Sequence, residues 1–372
     1  MKKKRVIFTS TRLFGICSSR LEHINFFKNS DWDVYVIANK DYNSTVKSES
    51  EYKFIEIKYP RNYNIINWIF CLINSFKIIN KIRPDLIVAF NSLPIFISSI
   101  VNKYFKANVI MVFTGSGQYI HWKGLKSKLA NFFLLNTLNK NANYIFQNPE
   151  DMFYFINGKF IPKEKSYLIK SSGVDLETFK LKKSFNDKLP FKVLMITRII
   201  KEKGINEYLH TIDTINKKHP NCFEFTLAGE ELKGRVNGID FDLMSKLIEN
   251  RILKKAGYIS NMQEYLKNFD IFIYPSYYTE GVPRVCLESA AIGLPIITTY
   301  SRGCNLTVKE GETGFLVDAE NVDQIVQSLL YFKEHPDKLP EFSKNAHEFV
   351  KKNFDKKKID NQYFKLYQKF LN

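Results

Sequence analysis

The sequence predicts an α/β protein composed of two tandem, doubly wound parallel-sheet domains. The length of 372 residues suits two domains of ordinary size. Short apolar runs alternate with helical patterns along the chain, as is typical of parallel sheets covered by helices. The strand pattern restarts near residue 191, after a polar, lysine-rich stretch. Ligands of such sheets bind beyond the carboxyl ends of the strands. We expect the carboxyl edges of the two sheets to face one another across a cleft.

Apolar runs that we predict as strands occur in both halves, and several are near-continuous Val, Ile and Phe, as expected when both faces of a sheet are buried. Those of the first half are Arg5–Thr9, Asp33–Ile37, Phe54–Ile57, Leu86–Phe90, Val109–Phe113, Tyr144–Gln147 and Ser166–Ile169. Those of the second half are Phe191–Thr197, Glu224–Ala228, Lys255–Gly257, Ile271–Tyr274, Ile296–Thr298 and Phe315–Val317. We therefore predict a first domain at 1–175, a linker at 176–190, a second domain at 191–353 and a terminal helix at 354–372 that returns to the first domain.

Cysteine usage and the apolar stretches favour a cytoplasmic location. The five cysteines contain no Cys-x-x-Cys pair, which argues against a disulfide framework or a zinc site. The basic start at 2–5 is followed by only three apolar residues, as in a first strand rather than a signal peptide. The apolar stretches 65–82 and 86–101 are interrupted by polar residues or proline, so neither is predicted to cross a membrane.

Positive charge is concentrated in the first half. The net charge is +13 for residues 1–180 and +4 for residues 181–372. An AT-rich genome can explain the overall excess of lysine, but it explains this distribution less well. No acidic residue lies between Asp85 and Glu150, and that stretch also carries apolar residues at 132–135. Its lysines are Lys103, Lys106, Lys123, Lys126, Lys128 and Lys140. Such a basic half suits an anionic membrane surface or a phosphorylated lipid, whereas no nucleic-acid-binding motif is present.

The segment from Tyr274 to Gly303 is the most informative part of the chain. A buried strand ends at Tyr274, and a helix is predicted over 284–292. Gly281 lets the backbone approach a ligand closely, and Pro283 occupies a helix-start position where no N–H is needed. The free N–H groups of the first helical turn are then suited to a phosphate.

Two carboxylates accompany this helix start. Glu280 lies in the loop before the helix and Glu288 within it. The pair is therefore able to contact different parts of one ligand, such as a sugar and a ribose. The alternative for Glu288 is an ordinary helix carboxylate with no ligand.

A group of cations follows the first strand of the second half. It comprises Arg198, Lys201 and Lys203, and Gly204 comes directly after them. Cations at the carboxyl edge of a sheet can reach a diphosphate, arginine through a planar fork and lysine as a point charge. The alternative is that they are simply solvated, as is usual for Lys and Arg after a strand.

Together these motifs resemble family 4 of the retaining glycosyltransferases, which have the GT-B fold of two Rossmann-like domains. The resemblance rests on RIIKEKG at 198–204, the Glu280-x7-Glu288 pair, SSGVDLETF at 171–179 and EGETGFLV at 310–317. It covers essentially the whole second half in order and spacing, while the first half matches only in its strand pattern. PSYYTEGVPRVCLE followed by TTYSRGC is most similar to bacterial enzymes that add N-acetylhexosamine or related sugars to undecaprenyl-diphosphate-linked glycans.

The resemblance implies a catalytic role for Arg198, Lys203 and Glu280. Arg198 and Lys203 would be ligands of the donor diphosphate. Glu280 would contact the donor sugar hydroxyls and Glu288 the ribose hydroxyls.

Further donor contacts are implied in the same way. Backbone N–H groups at Gly281, Val282 and the residues after Pro283 would lie beside the sugar and phosphates. The loop around Gly15 would approach the diphosphate from the first domain, and Tyr258 lies where the family holds the base through backbone contacts.

The chain departs from the family pattern at one place. Many members have a histidine after the strand that here leads into Thr114, Gly115 and Ser116, and this chain has none there. We expect those three residues to form a close-approach loop for sugar or acceptor. The nearest histidine is His121, which is a candidate acid–base residue, with an ordinary surface histidine as the alternative.

The implied activity is a retaining transfer of a hexose or N-acetylhexosamine from a nucleotide sugar, with UDP favoured over GDP. The acceptor would be a lipid-linked glycan of bacterial surface polysaccharide or glycoprotein synthesis, at the inner face of the cytoplasmic membrane. We expect no metal and no cofactor, because the nucleotide sugar is itself the substrate. A GT-B nucleotide-sugar epimerase or hydrolase, or a non-catalytic sugar-nucleotide-binding module, are the alternatives.

Overall fold

The computed structural model describes residues 3–40, 52–60, 65–115, 132, 135–184, 186–231 and 236–371. The chain divides into two compact units. The first consists of Met1–Ser172 with Lys358–Asn372, and the second of Gly173–Lys357. Each unit contains one parallel sheet covered by helices, so the predicted α/β class with two Rossmann-like domains is confirmed.

The sheet of the first unit has the strand order β3-β2-β1-β4-β5-β6-β7 within the described residues. Its strands are β1 (Arg5–Thr9), β2 (Asp33–Ala38), β3 (Lys53–Glu56), β4 (Leu86–Phe90), β5 (Asn108–Phe113), β6 (Asn143–Phe146) and β7 (Ser166–Leu168). The helices are α1 (Leu13–Ser19), α2 (Leu21–Asn29), α3 (Ile65–Ile82), α4 (Ser92–Phe105) and α5 (Pro149–Asn157). All five residues of β4 are buried, as its near-continuous apolar sequence predicts for a central parallel strand.

The sheet of the second unit has the order β10-β9-β8-β11-β12-β13. Its strands are β8 (Phe191–Ile196), β9 (Phe223–Ala228), β10 (Leu253–Ala256), β11 (Ile271–Tyr274), β12 (Ile296–Thr299) and β13 (Gly314–Val317). The helices are α6 (Ile205–Lys218), α7 (Phe241–Glu249), α8 (Met262–Leu266), α9 (Arg284–Ile292), α10 (Val322–Glu334) and α11 (Leu339–Asn353). Every strand predicted from the sequence is present, with ends shifted by at most two residues.

The stretch 176–190, predicted as a linker, is part of the second unit. Phe179 belongs to that unit's core. Lys182 is buried, and its Nζ atom donates a 2.9 Å hydrogen bond to the Phe269 carbonyl and lies 3.6 Å from the Asp270 carboxylate. The lysine-rich composition suggested a solvated connection, but one of these lysines packs inside with a carboxylate for a partner. The division between the units therefore falls earlier, at Ser172 and Gly173.

The last helix, α12 (Lys356–Leu371), starts in the second unit and continues in the first. Tyr363 and Tyr367 are fully buried in one core cluster of the first unit. The buried His23 ring on α2 bonds through Nδ1 to the Tyr367 hydroxyl at 2.7 Å and through Nε2 to the Asp360 carboxylate at 3.2 Å. Polar contacts as well as apolar ones therefore attach this helix to the first unit.

Each sheet has a point at which the strand order reverses direction. In the first sheet it lies between β1 and β4, and in the second between β8 and β11. Helices that follow strands on either side of such a point diverge, which leaves a crevice at the carboxyl edge where ligands bind. No helix among the described residues is long and apolar enough to cross a bilayer.

Candidate functional site

The second unit brings its predicted donor residues together at the reversal point. Arg198 and the 3-10 turn Lys201–Lys203 follow β8. The loop containing Glu280 follows β11, the neighbouring strand. The backbone N–H groups of Tyr277 and Tyr278 each donate a 3.0 Å hydrogen bond to the Glu202 carbonyl. Backbone hydrogen bonds therefore hold the two segments in fixed register.

Lys203, Tyr274 and Glu280 form a connected polar group at the centre of this edge. The Lys203 ammonium donates a 2.7 Å hydrogen bond to the Tyr274 hydroxyl and forms a close ion pair with the Glu280 carboxylate. The Tyr274 hydroxyl in turn donates to Glu280 Oε1 at 3.1 Å. Only 3% of the Lys203 side chain is exposed, against 18% for Glu280. Pairing a buried ammonium with a carboxylate offsets the cost of removing both charges from water.

The environment of Lys203 alters its acid–base behaviour. Burial lowers the pKa of the ammonium to about 7, and the nearby positive charge of Arg198 acts in the same direction. The ion pair with the Glu280 carboxylate favours the charged form of the ammonium. The lysine is therefore a cation whose charge depends on the anions beside it.

Arg198 differs from Lys203 in being exposed. Its guanidinium carbon lies 5.8 Å from the Tyr278 ring centroid, and the Lys203 ammonium lies 4.8 Å from the same ring. The aromatic face thus holds two cations near one place through cation–π attraction. Lys201, the third cation of the predicted group, is exposed at the start of the 3-10 turn.

The helix start predicted from the sequence is present in the structure. Helix α9 runs from Arg284 to Ile292 with Pro283 as its N-cap at φ −65°, and Gly293 ends it in the left-handed region at φ 93°. The first backbone hydrogen bond back to the Pro283 carbonyl comes from the Cys286 N–H at 3.1 Å. The preceding N–H groups of the first turn are those a phosphate would use.

Gly303 fixes the position of the loop before α9. It lies at φ +80°, and a Cβ atom placed on it would be 1.9 Å from the Gly281 carbonyl oxygen and 3.0 Å from that of Glu280. Any other residue would therefore displace the loop that carries the carboxylate. Gly281, Val282 and Pro283 are themselves buried.

Glu288 lies within α9 and has a cation one helical turn away. Its Oε1 atom lies 2.7 Å from the Nε atom of Arg284. Burial raises the pKa of the Glu288 carboxyl, and the Arg284 charge opposes this change. The carboxylate is nearly buried, with 11% of its side chain exposed, so it is not an ordinary solvated helix residue.

Two other expected donor residues are on other elements of the fold. Tyr258 follows β10, at the second unit's edge, and is 52% exposed. Gly15 belongs to the first unit, within the first turn of α1, whereas a loop was expected there. The loop after β1 is shorter than predicted, because α1 starts at Leu13 with Arg12 as its N-cap.

The carboxyl edge of the first unit carries a neutral hydrogen-bonded group. Ser10 Oγ donates to Asn91 Oδ1 at 2.8 Å, and Asn91 Nδ2 donates to Thr114 Oγ1 at 2.8 Å. These residues follow β1, β4 and β5 respectively, so the asparagine connects three neighbouring strand ends. Asn91 has φ 66° and Gly115 has φ 121°, and positive φ values of this kind are uncommon for residues other than glycine.

Several predicted residues lie outside the described residues. They are Ser116 and His121 of the acceptor-side prediction, and Lys123, Lys126 and Lys128 of the basic stretch. Lys103, Lys106 and Lys140 are exposed, whereas Leu135, which was grouped with the apolar residues of that stretch, is buried in the core of the first unit.

Sequence reasoning missed some members of both groups. Tyr274 was taken as the last residue of a buried strand, and its hydroxyl was not assigned a function. A tyrosine at the carboxyl end of a central parallel strand is a usable signal, because its polar tip must find a partner there. Ser10 and Asn91 carried no comparable signal, since short polar residues after a strand are common in turns.

The sequence contains two Asp-x-Asp patterns, a spacing that can hold a divalent cation, and both have structural explanations. Asp33 begins β2 at the opposite edge of the first sheet and pairs with Lys53, while Asp31 pairs with Lys3. Asp240 caps α7 by accepting from the Leu243 N–H at 2.9 Å. Over the described ranges, no group of three or more His, Cys, Asp or Glu side chains is placed to hold a metal ion.

Two family models match the chain, one for each half. The model described as "Glycosyl transferases group 1" matches residues 177–349. The model described as "Glycosyl transferase 4-like" matches residues 9–148. The first match contains Lys203, Tyr274 and Glu280, and the second contains Ser10, Asn91 and Thr114.

Curated relatives have similar descriptions. The capsular polysaccharide biosynthesis glycosyltransferase CapM of Staphylococcus aureus is 22% identical over 82% of each chain. The N,N'-diacetylbacillosaminyl-diphospho-undecaprenol α-1,3-N-acetylgalactosaminyltransferase of Campylobacter jejuni is 27% identical over 69% of each chain. A UDP-Gal:α-D-GlcNAc-diphosphoundecaprenol α-1,3-galactosyltransferase of Escherichia coli is 23% identical over 86% of this chain and 84% of its own.

Solved structures share the fold over the full length. Sucrose-phosphate synthase of Thermosynechococcus elongatus has a TM-score of 0.81 at 18% identity, covering 99% of both chains. HepE of Anabaena in complex with UDP has a TM-score of 0.76 at 16% identity, covering 99% of this chain and 100% of its own.

Proposed function

Because this chain is a glycosyltransferase of the GT-B fold, with a 4-like domain followed by a group 1 domain, we propose that it glycosylates a lipid-linked glycan. The sugar would be a hexose or N-acetylhexosamine taken from a UDP-linked donor with retention of configuration. The observation that carries the proposal is the group formed by Lys203, Tyr274 and Glu280 beside Arg198, at the reversal point of the group 1 domain.

The charges of this group suit the departure of a nucleoside diphosphate. As the bond between the anomeric carbon and the diphosphate oxygen breaks, negative charge develops on the leaving group and positive charge on the sugar ring. Arg198, Lys203 and the first-turn N–H groups of α9 would stabilise the former. Glu280 would hold the sugar hydroxyls near the oxocarbenium-like centre. Such fixed charges need no rearrangement during the reaction, which is the main source of their effect.

Retention requires that the acceptor attack the face from which the diphosphate leaves. The departing phosphate oxygen would then take the proton of the acceptor hydroxyl as the new glycosidic bond forms. One relative is named for a UDP-Gal donor and an α-1,3 linkage, and common UDP-hexoses carry an α-linked sugar. The proposal of retention with UDP rests on that pairing and on the UDP complex of HepE.

The proposed acceptor is supported by the names of two relatives, both of which specify diphosphoundecaprenol-linked acceptors. A lipid-linked acceptor would require contact with an anionic membrane surface, and the basic first half supplies the charge for it. We propose synthesis of a bacterial surface polysaccharide or a glycoprotein glycan at the inner face of the membrane. The other donor contacts that we propose are Gly15, Tyr258, Gly281, Val282, Pro283 and Glu288.

A panel of nucleotide sugars tests the donor. A bound donor stabilises the folded protein, so the correct one should raise the melting temperature, by an amount that grows with its concentration. The same donor is then incubated with and without a diphosphoprenyl-linked saccharide. Glycosylated lipid identifies a transferase of this kind. Release of free sugar or an epimer without acceptor would identify a hydrolase or epimerase instead, and binding without any product a non-catalytic module.

Metal independence has a separate test. We expect the same rate after dialysis against EDTA, because the protein's own cations and N–H groups would neutralise the diphosphate. Loss of activity that added Mg²⁺ restores would contradict this part of the proposal.

A further inference from the structure

Helix α3 is apolar on two opposite faces. Cys71, Ile79 and Ile82 are buried in a core cluster of the first unit that includes residues of its strands. On the other face, Ile69 is 50% exposed, Phe70 60%, Ile73 44% and Phe76 39%. These four residues recur at spacings of one, three and three, which places them on one side of a helix. The exposed face of a helix is normally polar, so this apolar side is suited to contact with something other than water.

The exposed side of α3 continues onto the end of α4. The Phe76 ring lies 5.7 Å from the Tyr104 ring and 4.9 Å from the Phe105 ring, measured between centroids. Tyr104 is 74% exposed. We call Ile69, Phe70, Ile73, Phe76 and Tyr104 the outer stripe. A contiguous apolar surface of this kind marks an interaction site far more often than isolated exposed residues do.

The surroundings of the outer stripe are basic. Lys77 and Lys81 are exposed on α3, and Lys103 and Lys106 flank Tyr104 at the end of α4. Lys103 and Lys106 also line an open cavity of about 510 Å³, together with Lys140 and several asparagines. That cavity has the charge and the size to receive an anionic headgroup.

Negative charge is nearly excluded from this part of the sequence. Between Glu56 and Glu150 the sequence has eleven Lys and Arg residues and a single acidic residue, Asp85. The Asp85 carboxylate accepts a 2.8 Å hydrogen bond from the Arg5 backbone N–H. A second copy of this chain would place lysines against lysines, which opposes self-association through this surface.

We propose that the outer stripe inserts into the surface of a bilayer rich in anionic lipid, with the surrounding lysines on the headgroups. Apolar side chains flanked by lysine are the composition of helices that lie in the membrane interface. Helix α3 follows β3 and precedes β4 in a parallel sheet, so it runs antiparallel to the strands. Its first turns therefore lie towards the carboxyl edge of the sheet, where Ser10 and Asn91 are found. Docking along α3 would bring that edge close to the bilayer.

The relevance to acceptor delivery rests on the proposed function, whereas the docking itself does not. Binding is measured by sedimentation of the full-length protein with phosphatidylcholine vesicles and with vesicles that contain phosphatidylglycerol. No donor or acceptor is present. We expect binding to the anionic vesicles, weakened by added salt, and little binding to the neutral ones.

A matched pair of variants tests the outer stripe. Phe70→Glu changes a 60% exposed phenylalanine of the stripe, and Phe153→Glu changes a 57% exposed phenylalanine on α5 of the same unit. Since both positions are exposed, both proteins should fold. We expect Phe70→Glu to lower the partition coefficient on anionic vesicles by roughly tenfold, as loss of one buried phenylalanine implies, and Phe153→Glu to leave it nearly unchanged.

A second pair tests the lysines. The double variant Lys103→Glu and Lys106→Glu should lose most of the binding to anionic vesicles. The double variant Lys344→Glu and Lys352→Glu makes the same charge change at exposed positions on α11 and should lose little. Equal losses of binding in these two double variants would mean that net charge alone drives binding, and that would overturn the proposed surface.

Two further outcomes would also overturn the proposal. One is equal binding of the wild-type and Phe70→Glu proteins. The other is a wild-type dimer in solution that Phe70→Glu converts to a monomer, because the stripe would then be a subunit interface. Turnover with a water-soluble, short-chain acceptor separates this proposal from the enzymatic one. Phe70→Glu should keep that turnover, whereas a failure of the proposed function would remove it from the wild type too.

Discussion

The carboxyl edges of the two units use different chemistry on the same kind of sheet. In the second unit the edge holds charges that are largely buried and paired, with Lys203 between Tyr274 and Glu280. In the first unit the edge holds the neutral chain from Ser10 through Asn91 to Thr114. The difference matches the ligands proposed for each, because a leaving diphosphate requires fixed positive charge and a sugar hydroxyl requires only oriented hydrogen bonds.

Removing the cations of the second edge is the strongest test of this difference. We expect Arg198→Ala and Lys203→Ala each to lower kcat by roughly 100-fold or more, since charge then develops on the diphosphate without neutralisation. Arg198 is the cleaner site, because its side chain is exposed and its loss leaves no buried carboxylate unpaired. Lys201→Ala, in the same turn, is the control and should have little effect. Near-normal turnover in both cation variants would remove the proposed mechanism.

The pH dependence tests whether the buried lysine acts as a cation. Burial lowers the pKa of Lys203 to about 7, against 10.5 for an ordinary lysine. If the charged form binds the diphosphate, kcat/KM should be highest below that value and fall about tenfold per pH unit above it. A bound donor places negative charge beside Lys203 and so raises the pKa of the ammonium. The fall in kcat should therefore occur at a higher pH than the fall in kcat/KM. A kcat/KM profile that stays flat to pH 9 would contradict a cationic role.

Gly303 tests whether the position of the Glu280 loop matters. A methyl group there would collide with the Gly281 carbonyl oxygen, whereas Gly311 has a similar φ of +70° with no atom within 4 Å of its added Cβ. Gly303→Ala and Gly311→Ala therefore share the backbone strain, and only the first displaces the loop. We expect Gly303→Ala to weaken donor binding about tenfold more than Gly311→Ala, measured by calorimetric titration, because a collision of this kind costs about 1–3 kcal/mol.

The Tyr274 hydroxyl is expected to have a smaller effect. Tyr274→Phe removes only the hydroxyl that bonds to both Lys203 and Glu280, and one such hydrogen bond contributes about 0.5–1.5 kcal/mol. We expect kcat/KM to fall threefold to tenfold and the base limb of the pH profile to move. Tyr208→Phe removes another buried hydroxyl, one that bonds the Thr226 carbonyl at 3.0 Å. That variant should lose stability in urea denaturation without a change in the pH profile.

The smallest expected effect belongs to the neutral edge. Asn91→Gly removes the side-chain amide that connects Ser10 with Thr114. Glycine adopts the φ of 66° at this position without strain. We expect the KM for acceptor to rise a few-fold while the KM for donor stays constant in initial-rate kinetics. A change confined to the donor KM would mean that the two edges are not divided as proposed.

Much of this arrangement could be predicted from sequence because it depends on local patterns. The strands are continuous apolar runs bounded by polar residues, and α9 has a proline at its start and a glycine at its end. The pairing of Lys203 with Glu280 could not be predicted, since it joins residues from two separate loops. Lys182 shows the same limit, because its burial depends on Asp270, far along the chain. The exposure of α3 was hidden for a different reason: an apolar helix is expected to be buried, and sequence does not show which side its neighbours cover.

The path of the last helix has a consequence for the order in which this protein can fold. Tyr363 and Tyr367 complete a core cluster whose other members include Phe8 and Phe27, so the first unit requires side chains from both ends of the sequence. On the ribosome, residues 1–172 emerge first, and their core is completed only when residues 358–371 emerge, after the second unit, Gly173–Lys357. The first half to be synthesised is therefore the last to be finished. A translation product that ended just after Lys357 would carry a complete second unit attached to a first unit that lacks part of its interior.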